Sequence, residues 1–172
     1  MNRITVLQHN INSWHPKRFQ LTNTYNDISP DIILLNDTNT TDSYIIKIFN
    51  YKVYSSNKTS QRHRGTTIAI KNSILHKITD DFETDLIAIT IESSTGPITI
   101  ATDYIPPASP FLNTIDYLRL LHLNHPVYIL GDLNAYHYSL GHTNSNPVGR
   151  MLNTLIAMDK LNHIGSYFPT FL

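Results

Sequence analysis

Apolar residues in this chain fall into short runs rich in β-branched side chains, bounded by Asn, Asp, Gly and Pro. Runs of that length and punctuation mark strands rather than long helices. They predict strands at 4–9, 32–35, 52–54, 66–70, 74–78, 85–91, 97–104 and 127–131. Residues 17–26 carry an early helical pattern, and 42–49 a short further element. Ser109-Pro110 reads as an N-cap and first helical position ahead of Leu112, Ile115, Leu118 and Leu121. Asn146-Pro147 repeats that entry before Val148, Met151, Leu152, Leu155 and Ile156, which share one helical face. Many strands, few helices and no repeat or low-complexity linker predict one α/β (α+β) domain, a layered sandwich with helices outside.

At 172 residues the chain fits that single domain. It has no cysteine, which excludes a disulfide framework, a thiolate zinc site and a Cys nucleophile. No apolar run approaches ~18 residues, and the N-terminus enters a strand-like run without a signal-peptide core. An intracellular protein, nuclear or cytoplasmic, with no membrane partner is expected, its Asn36, Asn39 and Asn57 triplets unglycosylated. Thirteen Lys+Arg balance 13 Asp+Glu, which argues against a generic basic nucleic-acid binder. The charges are nonetheless segregated. Lys47, Lys52, Lys58, Arg62, Arg64, Lys71 and Lys77 follow one another without an acid, and then Asp80, Asp81, Glu83, Asp85 and Glu92 without a base. Either a local positive patch faces a polyanion, with Arg62 and Arg64 as substrate contacts, or two adjacent hairpins carry opposite solvent faces.

Four apolar runs end in compact polar residues: Asn10, Asn36-Asp37, Thr102-Asp103-Tyr104, and Asp132-Leu133-Asn134 after Gly131. Singly, such residues are ordinary turn formers. Asp132 and Asn134, two apart, project to one side of an extended backbone, and Gly131 leaves room for a close approach. A carboxylate beside an amide oxygen suits a hard cation such as Mg²⁺, provided the other strand ends converge there. Pro106-Pro107 stiffen the exit from Tyr104, whose hydroxyl can donate to a phosphate oxygen; its plain alternative is a half-buried strand tyrosine. The nine histidines form no metal-ligand pattern, although His137, close after Asn134, is a candidate substrate contact. No Walker loop, nucleophile elbow or dinucleotide fingerprint occurs.

Gly-Asp-Leu-Asn-Ala-Tyr-His (131–137) resembles the Gly-Asp-Phe/Leu-Asn-Ala-x-His block of endonuclease/exonuclease/phosphatase domains. More narrowly, it is similar to the apurinic-endonuclease-like domain of insect-type non-LTR retrotransposons. Leu7-Gln8-His9-Asn10, Pro30-Asp31 through Asn36-Asp37-Thr38, Gly65 through Ile70, Tyr104-Ile105-Pro106-Pro107, Gly149-Arg150-x-Leu152 and Pro169-Thr170-Phe171 resemble its other segments in the same order.

The resemblance implies a four-layer α/β/β/α sandwich of the deoxyribonuclease-I-like kind. It also implies Mg²⁺- (or Mn²⁺-) dependent nicking of double-stranded DNA, with a downstream reverse transcriptase domain as partner. Asn10 and Asp37 would then hold metal, Tyr104 contact the scissile phosphate, and Asp132 and Asn134 position water and phosphate. Two departures stand out. Asp37 replaces the family's metal-binding Glu, and the only glutamates, Glu83 and Glu92, lie elsewhere. The family's later Ser-Asp-His strand does not occur within residues 1–172. The expectation is the N-terminal portion of a longer domain, missing its last strands and nicking poorly or not at all until extended. A catalytically silent remnant and a same-fold phosphodiesterase or phosphatase remain the alternative readings.

Overall fold

All eight predicted strands form, with ends moved by no more than two residues. The computed structural model describes residues 3–41, 44–56, 65–79 and 81–164. Arg62, Arg64 and the Pro169-Thr170-Phe171 segment lie outside the described residues. The strands are β1 (Val6–Asn10), β2 (Ile32–Asn36), β3 (Tyr51–Ser56), β4 (Thr66–Lys71), β5 (His76–Thr79), β6 (Ile87–Ser93), β7 (Gly96–Tyr104) and β8 (Val127–Asp132). Helices are α1 (Arg18–Ile28), α2 (Thr114–Leu121) and α3 (Pro147–Ala157), with a 3₁₀ turn at Tyr138–Leu140. The chain divides into two compact units, Met1–Tyr104 with Leu123–Asp132, and Ile105–His122 with Leu133–Leu172.

The first unit holds two four-stranded sheets, ordered β1-β2-β4-β3 and β5-β6-β7-β8. The pairs β1–β2 and β7–β8 are parallel and the others antiparallel. Alternation along each strand sorts the side chains into two cores. Ile32, Leu34, Ile68 and Ile70 of the first sheet meet Ile87, Ile89, Ile91 and Ile100 of the second. Ile33, Leu35 and Ala69 face the other way and pack with Leu21 and Tyr25 of α1, Ile11 and Trp14. α1 thus covers the outer face of the first sheet as the crossover between parallel β1 and β2. Ser29 ends it in left-handed backbone (φ 48°), with its N–H on the Tyr25 carbonyl.

Where 42–49 was expected to form an element, the described part has no helix or strand. It tucks Ile46 and Ile48 into the α1-side core and leaves Ile45 and Phe49 exposed.

In the second unit, α3 begins as expected, with the Asn146 side chain accepting the Gly149 N–H. α2 does not begin at Ser109. Its N-cap is Asn113, whose side chain accepts the Ile115 N–H at 3.1 Å. Positions three apart also drift around a helix of 3.6 residues per turn, so the predicted stripe is not a single face. Ile115 is 57% exposed, while Asp116, Tyr117 and Leu120 are buried. Among the described residues no helix is long and apolar enough to cross a membrane.

Candidate active site

Toward one end of the first unit the interface between the sheets changes from aliphatic to polar. On β2 the interior column runs Ile32, Leu34, Asn36. On β8 it passes through Leu130 to Asp132, and on β7 through Ile98 and Ile100 to Thr102 and Tyr104. Register pairs Asn10 with Asn36, Asn36 with Thr66, and Tyr104 with Asp132. These residues are therefore at one end by construction of the ladders.

Polar side chains join the sheets there. Asn10 Nδ2 donates to Asp132 Oδ2 at 2.6 Å. Asn36, fully buried, receives Gln8 Nε2 on its Oδ1 at 2.6 Å. Its Nδ2 donates to Thr102 Oγ1 at 3.1 Å and to the Asp103 carbonyl at 3.0 Å. Thr66 Oγ1 donates to the Asp85 carbonyl. Asp37 follows Asn36 directly, buried and in left-handed backbone at φ 53°. Its carbonyl accepts the Ser13 N–H at 2.8 Å, continuing the β1–β2 pairing beyond the strands. Tyr104 is buried, with its N–H on Asp103 Oδ1 at 2.8 Å. The structure thus brings together Asn10, Asp37, Tyr104 and Asp132 of the residues predicted from sequence.

Gly131 does allow a close approach, but the group that approaches is this chain's own backbone. A Cβ there would stand 2.1 Å from the Asp103 carbonyl oxygen. On the opposite face of β1, His9 Nδ1 lies 3.2 Å from the hydroxyl of Tyr25. Burial first, then the charge of Lys17, holds His9 below its ordinary pKa, and burial pushes the Tyr25 hydroxyl up. Lys17 Nζ itself is anchored on the Ile11 carbonyl at 2.7 Å.

The second unit contains Asn134 and His137. Asn134 is left-handed at φ 44°, so the parity argument from extended backbone does not apply to it. Its Nδ2 donates to the Ile105 carbonyl at 3.0 Å, and its Oδ1 accepts the Tyr136 hydroxyl at 3.2 Å. His137 caps the 3₁₀ turn by accepting the Ser139 N–H on Nδ1. Sequence reasoning missed Tyr136 and Asn146 as neighbours of Asn134; the Asn-Pro helix entry was the available signal for the second.

The described lysines of β3 and β4 in the positive stretch lie away from the polar end. Lys71 and Lys52 pair with Tyr51 and Ile70, at the far end of the first sheet from Asn36. Along β4 that is about 17 Å at ~3.4 Å per residue. There Lys71 is held by Asp31 at 3.1 Å and by the Ser29 carbonyl at 2.8 Å. Lys77 belongs to the other sheet.

The Endonuclease/Exonuclease/phosphatase family matches residues 7–171. A probable RNA-directed DNA polymerase from transposon X-element of Drosophila melanogaster is 29% identical over 147 residues, covering 81% of this chain. The RNA-directed DNA polymerase from mobile element jockey of the same organism is 26% identical over 145 residues, covering 82%. The match spans only 16% of the length of each relative.

Among solved structures, the endonuclease domain of TRAS1, a telomere-specific non-LTR retrotransposon, superposes with a TM-score of 0.76 at 16% identity. That match covers 98% of this chain and 78% of the other. The Xenopus laevis APE2 catalytic domain gives 0.59 at 22% identity, covering 88% and 67%. The fold is the α/β sandwich of these endonuclease domains, as the sequence resemblance implied. With the family match running over nearly its whole length, the chain belongs to the Endonuclease/Exonuclease/phosphatase family.

Proposed function

We propose that this chain is the endonuclease domain of a non-LTR retrotransposon, a divalent-metal-dependent hydrolase that nicks double-stranded DNA beside a reverse transcriptase domain of the same polyprotein. The observation that carries this reading is the 2.6 Å bond between Asn10 and Asp132 at the polar end of the sheet interface, next to Asp37.

The donors at that end fit Mg²⁺ or Mn²⁺. They are carboxylate and amide oxygens, and no three His, Cys, Asp or Glu side chains cluster to hold a metal among the described residues. A site with few protein ligands that leaves the remaining positions to water and phosphate is the habit of Mg²⁺. Asp37 and the Asn10 amide oxygen would hold the ion, which when bound offsets charge on the phosphate oxygens. The chain's own groups do the rest. Asp132, oriented by Asn10, accepts the proton of the attacking water as its oxygen bonds to phosphorus and the P–O bond to the leaving strand breaks. In the first unit Tyr104 Oη donates to a phosphate oxygen; in the second, Asn134 Nδ2 is the group offered to phosphate and His137 the one offered to a nucleotide.

The test is nicking of supercoiled plasmid with protein in excess, a format that registers slow turnover. Nicking in Mg²⁺ is expected, abolished by EDTA and lowered at least ~10²-fold by Asp132→Ala. Thermal stabilisation by Mg²⁺, lost in Asp37→Asn, reads metal binding without turnover. Neutralising Arg62 and Arg64 together should lower DNA affinity and reduce its salt slope by about 2. Equal nicking with and without chelator, or by Asp132→Ala, overturns the reading. Silence in nicking both by this chain and by a form extended with a Ser-Asp-His strand, with Mg²⁺ and DNA binding intact, overturns the enzymatic part and leaves a DNA-binding remnant.

A further inference from the structure

Asn134 occupies left-handed backbone (φ 44°), which Asn enters more readily than other L-residues and which contacts must still hold in place. Within the second unit one side chain, Asn146, holds the segment around it at several points. Asn146 Nδ2 donates to the Asn134 carbonyl at 2.6 Å. Asn146 Oδ1 accepts the Tyr136 N–H at 3.1 Å and the Gly149 N–H at 2.8 Å. Its main-chain N–H donates to the Tyr136 carbonyl at 3.0 Å. The N-cap of α3 is therefore also a clamp on the segment 134–136. Gly149 completes the fit, since a Cβ there would stand 1.9 Å from the Tyr136 carbonyl oxygen. Tyr136, fixed at its backbone by Asn146, returns its hydroxyl to Asn134 Oδ1 at 3.2 Å.

We infer that Asn146 is a positioning residue that acts through Asn134, holding its carbonyl and, by way of Tyr136, its side-chain amide in the orientation presented to a phosphate. The inference rests on the role proposed above for Asn134. Capping alone needs only the Oδ1 acceptor, and Ser, Thr or Asp supply that equally well. The Nδ2 donor on Asn134 is what a cap does not require. Without it the Asn134 carbonyl is released, and the left-handed backbone loses a restraint that offsets its cost. Displacements of about 1 Å in a positioning contact cost on the order of 10² in rate.

Asn146→Asp separates the two duties. The carboxylate keeps both acceptor contacts and suits a helix N-terminus, so the melting temperature should stay within a few degrees of wild type. In single-turnover nicking, the rate constant should fall about 10- to 100-fold while the half-saturating DNA concentration changes less than about twofold. In an Asn134→Ala background the same substitution should cost less than about twofold, because the group it acts through is gone. Equal losses in both backgrounds, or a loss matched by a fallen melting temperature, overturn the proposal. The carbonyl ¹³C resonance of Asn134 gives a readout independent of activity. It should move in Asn146→Asp, and an unmoved resonance also overturns the inference. Should neither the wild-type chain nor its extended form nick, the functional reading fails by itself, and this resonance alone decides whether Asn146 holds Asn134.

Discussion

Asn36→Ala removes the side chain that ties the two sheets together beside the candidate site. Asn36 and Thr102 are 0% exposed and Asp103 is 3% exposed. Truncation therefore removes the donor that the buried Thr102 Oγ1 and the Asp103 carbonyl receive from Asn36. Each lost bond costs about 1–2 kcal/mol, and the space left by the amide about 1 more. Gln8, which loses its acceptor, is half-buried and turns to solvent at little cost. The sum is about 3–5 kcal/mol, a large part of the ~5–15 kcal/mol typical of a whole domain.

The only tryptophan, Trp14, provides the assay. It is 2% exposed in the α1-side core of the same unit, so its fluorescence follows the unfolding of that unit. With a urea slope of about 2 kcal/mol/M, the midpoint should fall by roughly 1.5–2.5 M at unchanged slope. Gln8→Ala should move it by less than about 0.5 M. A shift under about 0.3 M for Asn36→Ala would refute the reasoning, because the buried acceptors would then have found other partners at no cost.

Gly131→Ala should destabilise the first unit by about 1–3 kcal/mol or more, since the new methyl meets the Asp103 backbone at 2.1 and 3.0 Å and cannot be relieved by a rotamer change; a urea midpoint equal to wild type would contradict this. Asp31 makes the pH-dependent case. Burial raises its pKa, but hydrogen bonds from Thr5 N–H and Oγ–H and from Lys71, with the lysine's charge, bring it below the ordinary carboxylate value. A lowered folded pKa contributes stability above the unfolded value of about 4 that is lost as pH falls through the folded one. Asp31→Asn should therefore cost about 1 kcal/mol at pH 7, discounted for the partial exposure of the pair, and almost nothing near pH 2; a deficit constant across pH would contradict the assignment.

The strands were legible because burial on one or both faces imposes a hydrophobic pattern that local sequence carries directly. The start of α2 was not. Ser109-Pro110 and Asn113-Thr114 both satisfy helix-entry chemistry, and the choice between them is made by tertiary packing, with Leu112 buried ahead of the first turn. The burial of Asp116 was equally hidden. It depends on Asn113 Nδ2 at 3.3 Å and Arg119 at 3.9 Å, and no periodicity announces a carboxylate facing inward. Of the segregated charges, Arg62 and Arg64 lie outside the described residues. The described lysines Lys52 and Lys71 share the end of the first sheet away from Asn36, and Lys77 stands on the second sheet. At the candidate site, strand ends and the Gly131 to Asn134 sequence were visible. The networks that orient them required partners 28 to 122 residues away, as between Gln8 and Asn36 or Asn10 and Asp132.

The strained backbone has a pattern of its own. Asn12, Ser13, Asp37 and Asn39 in the first unit all have positive φ, and they lie in the loops leaving β1 and β2 at the polar end. Such residues cost roughly 1–2 kcal/mol each and persist where surrounding contacts over-determine them. Here the contacts are specific: Ile11 N–H on the Asn36 carbonyl at 3.0 Å, Ser13 on Asp37 and Trp14 on Thr38, both at 2.8 Å. Trp14 then anchors the returning chain in the core. The parallel pairing of β1 and β2 is thus carried past the last regular strand residue, and Asp37 is fixed by main-chain bonds on a loop that a sheet holds rigid. A carboxylate on a shorter arm than the family's glutamate reaches less far by itself. Its reach in this chain is set by where the backbone puts its Cα, and that position is determined by the ladder and by Trp14, not by the length of the side chain.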